Sequence, residues 1–140
     1  VEPVALAGRF RVAAGHGIQT LEAPRKRLAV GSWTRQGYPH FAGTGHYTRI
    51  CVLRGGPGRV ILEIAKARDA VEVRINGRSA GVRVWPPYAF DLTGLLRRGQ
   101  NRIDLRVTNT LGNVIRKAYQ ASRPRDVPAG LLGPVRLRDG

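Results

Sequence analysis

Hydrophobic and polar positions alternate most clearly between Val71 and Asn109. Val71, Val73 and Ile75 share one parity, with Glu72 and Arg74 on the other. A period of two predicts a half-buried strand. Asn76-Gly77 follows at once and suits the positive φ angles of a two-residue hairpin turn, so the chain is expected to return over Arg78 to Val84. Trp85-Pro86-Pro87 breaks the pattern, which resumes at Tyr88-Ala89-Phe90-Asp91. Asp91 is placed to cap a short turn over Leu92 to Leu96, ended by Gly99. From Asn101 a further strand sets Ile103, Leu105 and Val107 opposite Arg102, Asp104, Arg106 and Thr108.

The rest of the chain reads as shorter pieces of the same kind. Gly8 to Val12 predicts a first strand with Phe10 and Val12 inward, followed by a small, flexible segment from Ala14 to Gly17. Ile18 to Leu21 is a short strand candidate, Pro24 to Arg27 a basic turn, and Leu28 to Trp33 either a helical turn or a strand. A loop over Gln36 to Gly45 leads into a strand over His46 to Leu53 and a turn over Gly55 to Gly58. Arg59 to Ala65 forms a strand with Val60, Leu62 and Ile64 inward, and Lys66 to Asp69 is a connection. Thr110 to Leu132 has little periodicity, and Val135 to Arg138 is a closing strand. Many short strands between frequent turns predict an all-β fold, an antiparallel β-sandwich.

The order of these motifs resembles the sugar-binding β-sandwich domain of glycoside hydrolases of the family 2 type. Its accessory copies in α-L-rhamnosidase-like bacterial enzymes are the nearest likeness. The resemblance rests on the NG hairpin, the aromatic-Pro-Tyr step before Phe90-Asp91-Leu92-Thr93, and the G-x-N at Gly99 to Asn101 that opens a strand ending in Val107-Thr108-Asn109. Ser32-Trp33, Gly37-Tyr38-Pro39 and Phe41 to Thr44 through Tyr47 resemble the opening of that domain, and Gly130 to Leu137 its exit. The likeness runs from about Leu28 to Leu137, and Ala42 stands where the family often has Ser. It implies a jelly roll of the galactose-binding-like kind, a carbohydrate ligand, a catalytic domain of the parent enzyme as partner, and a secreted or extracellular setting.

Composition adds bounds. The chain has 140 residues, the size of one domain spanning 1–140, and enough to bury a core without disulfides. The single cysteine, Cys51, reads as a small buried hydrophobe. No stretch is long and apolar enough to cross a membrane, and no signal peptide is present in these residues. The absence of Met suggests an excised domain, a processed product or a fragment. The formal net charge is +15; of 24 basic residues only Lys26, Lys66 and Lys117 are lysines, so 21 are arginine. Such a chain is expected to adhere weakly and non-specifically to polyanions. The arginines are scattered along the sequence and no nucleic-acid-binding motif is present, so a specific nucleic-acid module is disfavoured.

Catalysis is not expected. A glycosidase needs two carboxylates about one bond. Of the nine acidic residues, Glu63, Glu72 and Asp104 take the outward parity of strands, Asp91 caps a turn and Asp69 lies in a connection. Ser32, Ser79 and Ser122 lack a nucleophile elbow. His16, His40 and His46 lack zinc-site spacing, so no cofactor is expected. Structural calcium, which the resemblance makes common, is not predicted from acids so dispersed.

A saccharide site needs an aromatic platform with polar neighbours. The candidates are Trp33, Tyr38 and His40 in one loop, Trp85 and Tyr88 about the double proline, and Asn113, Arg116 and Tyr119, with Arg123, in the segment after Asn109. The competing expectation is that both tryptophans are buried, Trp33 plugging one end of the sandwich, while Tyr88 and Phe90 anchor packing. Three functions therefore stay open: an accessory domain of a glycoside hydrolase, a basic domain for anionic polymers, and a spacer without ligand.

Overall fold

The alternation between Val71 and Asn109 forms the two central strands of the larger sheet. The structure, a computed structural model, describes residues 8–15, 17–56, 58–112, 115 and 127–139. In chain order its strands are β1 (Arg11–Gly15), β2 (Ile18–Glu22), β3 (Thr44–Leu53), β4 (Val60–Ile64), β5 (Ala67–Arg68), β6 (Ala70–Ile75), β7 (Arg78–Arg83), β8 (Tyr88–Asp91), β9 (Gly99–Thr108), β10 (Gly130–Leu131) and β11 (Val135–Asp139). A four-stranded sheet has the order β3-β9-β6-β7 and a three-stranded sheet the order β11-β4-β8. All their pairings are antiparallel.

The inward faces of both sheets meet in one core, making a β-sandwich. Val71, Val73 and Ile75 of β6 and Ile103, Leu105 and Val107 of β9 face Val60, Leu62 and Ile64 of β4 and Tyr88 and Phe90 of β8. Each fully buried aliphatic or aromatic side chain contributes about 2 kcal/mol by leaving water. The ion pairs on the outer faces, such as Arg106 with Glu72 and Arg138 with Glu63, are partly solvated and worth at most about 1 kcal/mol each. The interior, not the charge lattice, therefore holds the sandwich together.

The β6–β7 hairpin turns at Asn76-Gly77, where both residues have positive φ, 52° and 84°. Asp91 caps the following turn, its Oδ1 accepting the Thr93 N–H at 2.9 Å.

Several shorter pieces differ from expectation. β1 extends through Ala14 and Gly15 and pairs with β2 as a separate ribbon, so that part of the segment expected to be flexible is strand. Phe10 and Val12 are half-buried outside the core, and Ile18 and Leu21 are exposed, because the ribbon pairs with neither sheet of the sandwich and touches it through the loop at Gly37, which accepts the Val12 N–H. Leu28 to Trp33 is neither helix nor strand: Gly31 and Trp33 donate backbone N–H groups to Leu131 and Ala129, and a 3-10 turn follows at Thr34–Gln36. The connection at Lys66 to Asp69 contains β5, which pairs with β10. Cys51 is half-buried rather than enclosed, since β3 is an edge strand.

Candidate functional site

Trp33 sits inside the sandwich end, with 2% of its surface exposed. Its Nε1–H donates to the Tyr47 hydroxyl at 2.6 Å, and Phe41 meets its ring edge-on, centroids 5.4 Å apart. Gly45 and Gly130 make room for it: a Cβ at either would stand 2.4 Å from the indole. Real Cβ atoms do not approach so closely, so glycine is required at both. Trp33 is therefore a plug and not an exposed platform, which corrects its nomination as a binding surface.

Trp85 has the opposite fate. It is 72% exposed, so the expectation that both indoles are buried fails for it. Trp85-Pro86-Pro87 carries the chain from β7 in one sheet to β8 in the other. Prolines have no N–H to add to a ladder and keep this crossing outside both sheets.

Tyr88 is 6% exposed and belongs to the core, which likewise removes it from the set of open aromatics. Its hydroxyl donates to the Asp69 carbonyl at 2.8 Å. Burial, then the Asp69 charge, push its phenol above the ordinary value against the opposing charge of Arg68. Tyr38 is half-buried, accepts the Arg25 N–H on its hydroxyl at 3.0 Å and meets Phe41 edge-on. His40 is exposed in the same loop. Asn113, Arg116, Tyr119 and Arg123 lie outside the described residues.

The nominated aromatics do not converge. Trp33 packs on Gly45 of β3, and Trp85 follows β7. These are opposite edge strands, three ladder steps or about 14 Å apart. The two prolines that follow Trp85 line a groove of about 380 Å³ together with Ala65 and Pro134, with Glu63 and Arg136 as its charged members; Trp85 itself does not line it. An exposed indole can cover the apolar face of a sugar ring.

Several carboxylates are engaged in surface contacts. Glu63 accepts a two-oxygen contact from Arg138, Glu72 pairs with Arg106 and Arg74, and Asp69 Oδ2 accepts from the Thr110 N–H and hydroxyl. Burial disfavours the charged form of Asp104, but hydrogen bonds from Thr48 and Arg102 and the charges of Arg102 and Arg74 outweigh it and hold its pKa below the ordinary value. Among the described residues no three His, Cys, Asp or Glu side chains gather to hold a metal ion.

One grouping escaped the sequence reading. At the end of the sandwich away from Trp33 and Trp85, four exposed arginines collect: Arg54 after β3, Arg78 at the hairpin, and Arg97 and Arg98 before β9. Their positions run over 45 residues of sequence, and only the strand register brings them together.

No family model matches the chain. The rhamnosidase from Novosphingobium sp. PP1Y is 26% identical, with a TM-score of 0.69 over 97% of this chain and 15% of its own. A GH2 β-galacturonidase from Eisenbergiella tayi is 19% identical, with a TM-score of 0.58 over 93% of this chain and 22% of its own. The chain resembles a β-sandwich domain of glycoside hydrolases. A Formosa agariphila protein provisionally named a β-glucuronidase is 25% identical over 119 residues, 80% of this chain and 10% of that protein. This glycosidase-type sandwich thus spans only a small fraction of the length of the proteins it matches.

Proposed function

We propose that this chain is a non-catalytic, single-domain module of a larger glycoside hydrolase, packed beside a catalytic domain and offering saccharide an open aromatic surface at Trp85. The observation that supports the modular part is the coverage: 97% of the chain aligns with 15% of a rhamnosidase. The contacts of Glu63, Asp69, Glu72, Asp91 and Asp104 support the non-catalytic part, because these carboxylates are tied to neighbouring groups rather than paired as an acid and a nucleophile about one bond. The exposure of Trp85 supports saccharide contact.

The test is direct. The purified chain is incubated with a panel of aryl glycosides and separately titrated with neutral oligosaccharides. No turnover is expected, and saccharide binding should survive high salt and disappear in Trp85→Ala with the fold intact, since stacking removes apolar surface from water and hardly feels ions. Turnover abolished by changing one acidic residue of this chain would defeat the non-catalytic assignment. Binding indifferent to Trp85→Ala would defeat the platform.

A second reading, an acidic saccharide as ligand, is favoured by the net charge of +15 and by relatives named for uronide-cleaving activities. Arginine matches carboxylate geometry with two parallel hydrogen bonds.

A further inference from the structure

We propose that the end of the sandwich formed by Arg54, Arg78, Arg97 and Arg98 binds the carboxylates of an acidic polysaccharide, a polyuronate. This rests on the reading of the chain as a saccharide-related module and names the site and ligand chemistry. The β3–β9 ladder closes at Leu53 opposite Gly99, so Arg54 and Arg98, one residue beyond each, leave the sheet at the same end. Like charges held at one end of a sheet repel. The ion pairs of the described residues take Arg11, Arg59, Arg68, Arg74, Arg102, Arg106 and Arg138; these four arginines, like others such as Arg9, Arg27 and Arg35, have no carboxylate partner among those residues, and their shared position at one end is what sets them apart. Among the described residues the carboxylates at this end are Asp91, occupied by Thr93 and Arg59, and Asp139, whose backbone pairs with Val60; one remaining carboxylate does not balance four guanidiniums. A bound anion relieves this concentration of charge.

Two of the guanidiniums are already held. Arg78 Nη1 donates to the Gly94 carbonyl at 3.1 Å and Arg97 Nε to the Gln100 carbonyl at 3.0 Å. Each keeps further N–H groups for a ligand and has lost part of its freedom before binding, which lowers the cost of association. The turn that carries them is fastened by Asn76 and Asn101. Nucleic acid fits less well. Single-strand sites combine cations with stacking aromatics. The exposed aromatics of the described residues, Phe41 and Trp85, belong to the other end.

The experiment titrates the chain with polygalacturonate, dextran and single-stranded DNA at low salt, using Arg54→Gln/Arg97→Gln/Arg98→Gln and the equally charged control Arg9→Gln/Arg27→Gln/Arg35→Gln. Polygalacturonate should bind and dextran should not compete with it. The end triple should weaken polygalacturonate about tenfold and the control about twofold, because local phosphate- or carboxylate-type contacts add to a general charge effect. If the end triple does not fold, Arg54→Gln alone, whose side chain is not tied to a backbone carbonyl, should weaken binding about threefold. Equal weakening by both triples, tighter binding of DNA than of polygalacturonate, or no polygalacturonate binding overturns the proposal. Polygalacturonate binding lost in Trp85→Ala but kept in the end triple overturns the arginine site while leaving the saccharide module standing. Absence of binding to any saccharide defeats both.

Discussion

Asn76 Nδ2 donates to Asn101 Oδ1 at 2.9 Å, joining the hairpin turn to the start of β9. The same Asn101 oxygen accepts the Arg97 N–H, while its Nδ2 donates to the Arg97 and Gly99 carbonyls. Asn76 returns the favour through Oδ1, which accepts the Arg102 N–H. The Asn101 side chain is fully buried, so its own hydrogen bonds stand in for water that does not reach it. Two asparagines spaced 25 residues apart therefore set the shape of the 92–99 turn and of the arginine end built on it.

Asn101→Ala should destabilise the chain by about 3 kcal/mol, since it removes three part-buried hydrogen bonds to the Arg97 and Gly99 backbone at about 1 kcal/mol apiece. Urea unfolding followed by circular dichroism measures it. In the Asn76→Gly background, which keeps the positive φ, the same change should cost less, because one partner has already been removed. Strict additivity of the two changes would contradict the network.

Gly45→Ala should cost about 2–3 kcal/mol, because its methyl group meets the Trp33 ring with nowhere to go. In a Trp33→Leu background the penalty should largely vanish, although that background is itself weakened. Equal penalties in both backgrounds, read from denaturant midpoints, would show that the close approach is not its cause.

The two indoles should report separately in fluorescence. Trp85 is expected to be quenched readily by acrylamide and Trp33 to resist. Trp85→Phe should leave a blue-shifted emission with little quenching, whereas a red-shifted residual spectrum would place Trp33 in water.

Stability should fall in acid. The Thr93 hydrogen bonds lower the pKa of Asp91, and the net effect around Asp104 is also a lowering. A carboxylate whose folded pKa is depressed stabilises the fold above its unfolded value, near 3.9, and loses that contribution as pH falls through the folded value. Urea midpoints should therefore drop as pH is lowered below about 4. Asp104→Asn should reduce the drop; an unchanged pH profile in that variant would remove Asp104 from the explanation.

Much of the β-sandwich was legible in the chain. Parity over Val71 to Ile75 and Ile103 to Val107 named the buried side chains correctly, because alternate strand residues must face opposite sides. Asn76-Gly77 named the hairpin because a positive φ is inexpensive there. The two-residue strands β5 and β10 were not legible, since two residues carry no period. Tertiary packing decided the two tryptophans: Trp33 is enclosed because Gly45 and Gly130, far apart in sequence, vacate the space it fills, while Trp85 rides on a proline crossing that no sheet covers. It also decided the arginines. Scattered in sequence, Arg54, Arg78, Arg97 and Arg98 share one end because antiparallel pairing returns strand termini to the same place, and spacing along the chain does not show which termini will meet.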